Sequence, residues 1–459
     1  MSISIDSCLG KQSVRAFLFL PLLLAMTVGI LANEHWPRFR GSSGRSVEGD
    51  DPRLPSVWGK DTNRVWTATV PGMGWSSPII WGERVFVTSV INDEEFERPK
   101  AGLYLGRGIR EPQKGLHHWL VSCLSLKSGE LLWSKEVYQG NPRVPRHPKS
   151  TYASETPTTD GQRVYALFGD VGLYALTMDG EIDWKVEIQP KETFYDYGAA
   201  GSPIVHDGQV IVVYDNQEYS YITSFDAETG TRNWLTERKE KSTWATPYVW
   251  EHSLGLEIVT SGKERIRSYS LEGKLLWEYE GQMSNLIIPS PFAVDDLLYV
   301  TSGYVGDQRR PVHAIRPGGK GDITPDEEDL SASEYVAWWQ PKAGPYNTSP
   351  IVYKGLYYTL YDRGLWSVHE AKSGALITDR ERFPGLATFT ASPWAYNDRL
   401  FCLSEQGTTY VIEAGGEFKI ERMNELEELC LASPAYAQGK LLVRTVSQIY
   451  CFSSLPEAL

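Results

Sequence analysis

The chain has 459 residues, with 45 Lys and Arg against 58 Asp and Glu and a formal net charge of −13. That acidic balance disfavours nucleic acid and anionic lipid headgroups as partners, while suiting solubility and a divalent cation. Aromatics reach 12%, and 41 Gly and 27 Pro supply turns, so strands and turns are expected and long helices are not.

At the N-terminus, Lys11 and Arg15 precede an uncharged run from Ala16 to Ala32, followed by Asn33 and Glu34. A basic start, an apolar stretch and a small residue at the junction predict a cleaved signal peptide over 1–32. With Pro21 inside it, the run falls short of the about 20 residues that span a bilayer, leaving an N-terminal membrane anchor as the alternative. No cysteine follows closely enough for a lipid anchor. Export places the mature chain in the periplasm or outside the cell. Residues 33–62 then read as an N-terminal extension, with Trp36 to Trp58 expected along the outside of the fold.

From residue 63 to 459 one phrase recurs eight times. It opens with a small-Pro step: Ser77-Pro78, Thr156-Pro157, Ser202-Pro203, Thr246-Pro247, Ser290-Pro291, Ser349-Pro350, Ser392-Pro393 and Ser433-Pro434. Most steps lie 41 to 46 residues apart; the two longer intervals, 79 and 59, hold insertions. A period in the forties made of short strands predicts propeller blades, each a four-stranded sheet unable to bury both faces alone. In the third strand of each unit one position stays small or Val: Cys123, Ala175, Ser224, Ser268, Ala314, Ser367, Val411 and Cys451. Close blade-to-blade packing demands this. Next, Gly129 leads to Trp133, Gly180 to Trp184, Gly230 to Trp234 and Gly273 to Trp277. Each indole reads as a plug between neighbouring blades. Trp338 or Trp339 fills that role in the fifth unit, whereas the sixth offers Thr378 and the seventh Phe418 and Ile420.

The eighth unit stops one strand short, and an orphan strand carrying Trp66 precedes the first. A ring must remove its free edges. The reading is therefore a single all-β domain: an eight-bladed propeller of antiparallel blades, closed by the N-terminal strand with Trp66. Cys123 and Cys451 occupy small core positions and become neighbours on closure, so buried thiols and a bridge both stay open.

Catalytic and metal motifs are missing: no Cys-x-x-Cys, His-Glu-x-x-His, Gly-x-Ser-x-Gly or phosphate loop is present. His117 and His118, adjacent in a strand, face opposite ways and cannot share a metal. Gly106-Arg107-Gly108 lacks the strand and helix of a dinucleotide site. Function is then expected where the insertions gather, at one mouth of the channel: 91–116, 138–152, 189–199 and 304–311. Arg146, His147, Tyr152 and Tyr197 come from these loops, with Asp196 beside them. Trp244, Asn347, Asp362 and Arg363 come from the channel wall and hairpins. Glu155 replaces the small residue found before other small-Pro pairs and is expected to turn a carboxylate toward the channel. The basic run Arg143, Arg146, His147 and Lys149 reads either as a solvated loop or as part of the mouth.

The stretches Leu173-Tyr174-Ala175-Leu176, Phe225-Asp226-Ala227-Glu228-Thr229-Gly230 with Trp234, and Leu124 to Gly129 with Trp133 resemble the tryptophan-docking repeats of quinoprotein dehydrogenases. The mature chain resembles the exported PQQ-like β-propeller repeat proteins. More distantly it is similar to the propeller lipoprotein of the outer-membrane barrel-assembly machine. Trp36-Pro37-Arg38-Phe39-Arg40-Gly41, Trp75-Ser76-Ser77-Pro78 and His147 to Pro157 look typical of one subgroup. Among the dehydrogenases, the resemblance implies Ca2+ held by a carboxylate and an amide, an Asp base, and stacking on the quinone, often with a vicinal disulfide. Here Glu155 and Asn347 would be the metal ligands, Trp244 the stacking floor, and Asp196 or Asp362 the base. No adjacent cysteines exist, and the about six to eight oxygens of a calcium site are not evident. The chain is therefore read as a monomeric, non-catalytic binding or scaffold propeller with no cofactor expected. Its mouth would take an unknown protein, peptide or carbohydrate-like ligand; the alternative is a PQQ- and Ca-dependent alcohol or sugar dehydrogenase.

Overall fold

The computed structural model describes Met1 and residues 33–94, 97–102, 104, 110–326 and 329–454. Residues 2–32, the body of the expected signal peptide, and Gly106-Arg107-Gly108 lie outside the described residues. Ala32–Leu459 is one compact unit. Its strands form eight sheets, each with an antiparallel core of four, and these are the blades of an eight-bladed β-propeller. Each innermost strand starts just after a small-Pro step, as at Ile79–Trp81, Ile204–His206 and Trp394–Tyr396. Proline fits there because a first strand residue has no ladder bond to lose.

All eight small residues of the steps are Ser or Thr, and the structure shows why. The Ser77 amide donates to Thr156 Oγ1 (2.9 Å), the Thr156 amide to Ser202 Oγ (2.9 Å), and the Ser202 amide to Thr246 Oγ1 (3.2 Å). The chain of links continues through Ser290, Ser349 and Ser392 to Ser433 at 2.9 to 3.0 Å. Each blade thus hands an amide proton to the hydroxyl of the next, and seven such links circle the channel.

Indole docking ties the blades farther out. Trp66 donates to the Leu126 carbonyl (2.9 Å), Trp133 to Met178 (3.0 Å), Trp184 to Ala227 (3.1 Å), Trp234 to Leu271 (2.7 Å) and Trp338 to Ala371 (2.8 Å). In every pair the acceptor belongs to the following blade, and the indole lies on that blade's turn glycine. At Gly129 the demand is double. Its φ is +74°, and a Cβ would sit 2.6 Å from the Trp66 ring, so only glycine fits. Of the two candidates in blade 5, Trp338 docks, while Trp339 bonds to Asp329 Oδ1 (3.2 Å). Trp277 departs from the pattern by bonding to Glu257 Oε2 of its own blade (2.7 Å).

Strand Arg64–Ala68 pairs with Ile449–Phe452, setting Trp66 opposite Cys451 and completing blade 8. The small third-strand positions, from Cys123 to Cys451, are all almost wholly buried. The four described cysteines are buried, and Cys123, Cys402 and Cys430 are free thiols.

The N-terminal extension does not follow the outside of the ring as expected. Trp36 pairs with Ile80 of blade 1, Pro37 accepts from the Thr159 amide of blade 2 (2.9 Å), and Arg40 reaches the Pro350 carbonyl of blade 6 (2.5 Å). Ser46 accepts from the Ala395 amide of blade 7 (3.2 Å). These contacts fall on residues after the small-Pro steps, on the side of the hydroxyl ring away from the loops. The segment therefore crosses the channel end, and Phe39 reaches the channel wall. Apolar demand drives this: Trp58 fills the aromatic space among Trp394 and Phe401 of blade 7, which lacks a docking tryptophan, and Phe452 of blade 8.

Trp66→Ala removes an indole, its bond and the closing contact together. Loss of about 3–5 kcal/mol is expected, read from urea melts. An unchanged midpoint would show that closure does not depend on this strand.

Candidate functional site

The eight hydroxyls of the ring line a cavity of about 220 Å³ in the channel. Above them the inserted loops supply aromatic walls. Tyr197 packs edge-on to His147 (4.4 Å between centroids) and tilts against Trp244 (6.0 Å). Tyr346 belongs to the same buried cluster, and Trp75 stands on the opposite side beside Leu431 and Ala432. The indole N–H groups are committed, Trp244 to the Gly198 carbonyl (2.6 Å) and Trp75 to that of Lys149 (2.8 Å). Their rings are therefore held as fixed walls.

Of the residues expected at the mouth, His147, Tyr197, Trp244 and Asn347 do line the cavity. His147 Nδ1 accepts from the Lys149 amide (3.1 Å), so Nε2 carries the proton that faces the Tyr104 carbonyl (3.4 Å). Burial pushes its pKa down to about 4, leaving a neutral imidazole with both nitrogens used. Among the described residues the Asn347 side-chain amide has no hydrogen-bond partner.

Arg146 and Tyr152 are buttresses. The Arg146 guanidinium lies 5.9 Å over the Tyr152 ring and donates to the carbonyls of His147 (3.2 Å) and Ser150 (2.5 Å). Tyr152 donates to the Val144 carbonyl (3.0 Å) and accepts from the Gln113 amide (3.2 Å). Asp196 accepts from the Arg110 amide (3.0 Å). Asp362 is buried and caps the Tyr346 amide (3.1 Å), while Arg363 is exposed and outside the cavity.

Glu155 corrects the expectation made for it. Its carboxylate is buried between blades and accepts from the Gly169 amide (2.9 Å), so it does not enter the channel. Hairpin geometry decides this: the Phe168–Gly172 turn leaves the Gly169 amide without a ladder partner, and Glu155 satisfies it. Burial raises its pKa to about 8, with Asp170 nearby also raised, to about 7.

Lys149 was legible only as part of a basic run. It is buried and pairs with Glu405, also donating to Thr390 Oγ1 (2.8 Å), which itself donates to Glu405 (2.7 Å). Glu405 takes the Gly102 amide as well (2.7 Å), so this pair ties two inserted loops to blade 7. Two residues 256 positions apart give no local signal.

These residues do not fit a calcium and quinone site. Among the described residues, no carboxylate lines the cavity. Asn347 lines the cavity, whereas Glu155, Asp196 and Asp362 do not. Among the described residues, no cluster of three His, Cys, Asp or Glu side chains could hold a metal.

Comparison with known proteins supports the architecture. A family profile described as outer membrane protein assembly factor BamB matches residues 118–302. The fold is that of the PQQ-like β-propellers. BamB from Moraxella catarrhalis superposes with a TM-score of 0.50 at 11% identity, covering 82% of this chain and 99% of that one. A europium-containing methanol dehydrogenase gives 0.59 at 11% identity, covering 92% and 98%. The quinohemoprotein alcohol dehydrogenase from Comamonas testosteroni gives 0.55 at 12% identity, covering 93% and 82%. At such identities the likeness concerns the fold alone. Among curated protein sequences, none matches.

Two outcomes follow from the buried charges. Glu155 has a folded pKa above its unfolded one, so its contribution is fully present below about pH 4.5 and is lost as pH rises through about 8. Glu155→Gln keeps the acceptor without the charge, so it should gain stability over the parent at pH 8, on the order of 2 kcal/mol, and little at pH 4.5. Equal gains at both pH values would show that the carboxylate is not strained by burial. Lys149→Met should cost about 3–5 kcal/mol by stranding Glu405. Adding Glu405→Gln should recover part of that loss; a double variant no better than the single would show that the two charges are not coupled.

Proposed function

We propose that this chain is a non-catalytic binding propeller that engages a partner or ligand at the loop-bearing mouth of its channel. One observation carries this reading. The cavity wall consists of aromatic faces, hydroxyls, one unbonded amide and one ammonium already paired with Glu405. Among the described residues, that wall presents no carboxylate or thiol, and its one imidazole is fully bonded. No general base, nucleophile or metal donor set can be assembled from it. An assembly factor among the relatives is compatible with such a role, and the dehydrogenases share the frame. Export belongs to the same proposal, with cleavage after Ala32 giving a mature N-terminus at Asn33. Among the described residues no helix is long and apolar enough to cross a membrane.

The mouth is a better interaction surface than the outer strands because its loops can vary without disturbing blade packing. A partner should therefore crosslink to the loops around Tyr104, Tyr197 and Arg363. The buttresses Arg146 and Tyr152 are unsuitable positions for probing it, since truncating them would unfasten the loops.

The decisive test incubates the mature protein with PQQ and Ca2+, following the cofactor spectrum and dye reduction with alcohols and sugars. Neither a shifted spectrum nor turnover is expected. Stoichiometric, Ca2+-dependent uptake of PQQ would move the chain among the dehydrogenases.

A further inference from the structure

A serine or threonine hydroxyl has lone pairs to accept with and one proton to give. In the channel ring, seven hydroxyls spend a lone pair on the amide of the preceding blade, yet none of the eight donates its own proton to an acceptor among the described residues. The wall consequently offers eight unspent hydroxyl protons, beside the lone pair that each hydroxyl still keeps. At one place the ring is also open. The link from the Ser433 amide to the Ser77 hydroxyl, between blades 8 and 1, is not made. Among the described residues neither group has a hydrogen-bond partner, although Ser77 is 2% exposed and both residues line the cavity.

Directly behind this seam lies Arg444, 3% exposed. Its guanidinium donates to the Ser76 carbonyl (2.9 Å), to Ser76 Oγ (2.7 Å) and to the Thr88 carbonyl (3.0 Å). Among the described residues no carboxylate pairs with it. Burial alone pulls its pKa down to about 9. A buried cation without a counter-charge is costly, and burying a nearby anion repays part of that cost. Lys149, the cation that lines the wall, is already neutralised by Glu405. Beside the seam the wall is apolar, made by Trp75, Leu431 and Ala432.

Resting on the reading of the channel as a binding site, we propose that it takes a small organic monocarboxylate. The carboxylate accepts from the Ser433 amide and the Ser77 hydroxyl at the seam, with Arg444 behind them supplying positive charge. The body of the ligand lies against Trp75 and Leu431. Size supports a small molecule: the cavity of about 220 Å³ is below the ~300 Å³ at which drug-sized sites begin. A neutral sugar fits less well, because it brings no negative charge to set beside Arg444. An inorganic anion would leave the apolar wall unused.

The test titrates the mature protein with benzoate and, separately, with its neutral counterpart benzamide, at matched ionic strength in sodium chloride. Calorimetry and tryptophan fluorescence are read together. Benzoate should bind saturably at one site per chain, and benzamide at least about tenfold more weakly. Ser77→Ala should weaken benzoate about fivefold or more without shifting the melt, because the hydroxyl makes no bond within the protein. Arg444→Met should weaken it further; if that variant does not fold, Ser77→Asp, which places a like charge at the seam, should abolish binding. Absent saturation, equal affinity for benzamide, or unaltered binding to Ser77→Ala would each overturn the proposal. Failure of benzoate alongside partner crosslinking at the mouth overturns the ligand class alone, whereas uptake of PQQ with Ca2+ overturns the binding-module reading as well.

Discussion

Seven amide-to-hydroxyl bonds hold the inner rim of this ring. Each is an ordinary hydrogen bond, contributing on the order of 1 kcal/mol. Their importance lies in placement. The inner strands are only two to five residues long, as in Thr158–Thr159 and Tyr248–His252, too short to fix blade-to-blade angles by ladder bonds of their own. A hydroxyl offered by the next blade sets both spacing and direction, and proline after it keeps the chain extended into the strand. The same hydroxyls then form the wall of the channel, so the device that closes the ring also gives the cavity its chemistry.

Farther from the axis the problem changes from angle to area. Indoles docked on turn glycines fill the wedge between diverging blades and satisfy a carbonyl in the same step. Blades 6 and 7 have no docking Trp, and the N-terminal extension lies against them and against blade 8. Trp58 meets Trp394, Phe401 and Phe452, while Trp36 packs on Tyr436. The extension and the Trp66 strand are thus one structural element with two tasks, filling a weak sector and closing the last blade. Crossing the channel end with Phe39 follows from this path.

Charge in the upper mouth is mostly structural. Glu405 with Lys149, Asp362 with the Tyr346 amide, and Glu155 with the Gly169 amide each satisfy a donor that loop or hairpin geometry would leave bare. Carboxylates used in this way are held away from the cavity, and the wall is left to aromatics and hydroxyls. Arg444 and Arg146 are buried cations of this region that no carboxylate pairs with among the described residues, and Arg444 faces only carbonyls and a hydroxyl.

The repeat alone determined the eight blades, the small third-strand positions, the Gly-to-Trp turns and closure by Trp66. All of these follow from periodicity and from the rule that a sheet edge must be covered, and both are written locally. Tertiary structure decided the rest. Ser and Thr at the steps looked merely small, because the amide each one serves lies a whole blade away. Glu155 looked like a channel carboxylate, but the bare Gly169 amide turned it aside. Lys149 read equally as solvated or as part of the mouth until ring closure brought Glu405 to it. Sequence records what each residue can donate, accept or bury; only the closed ring determines which groups meet.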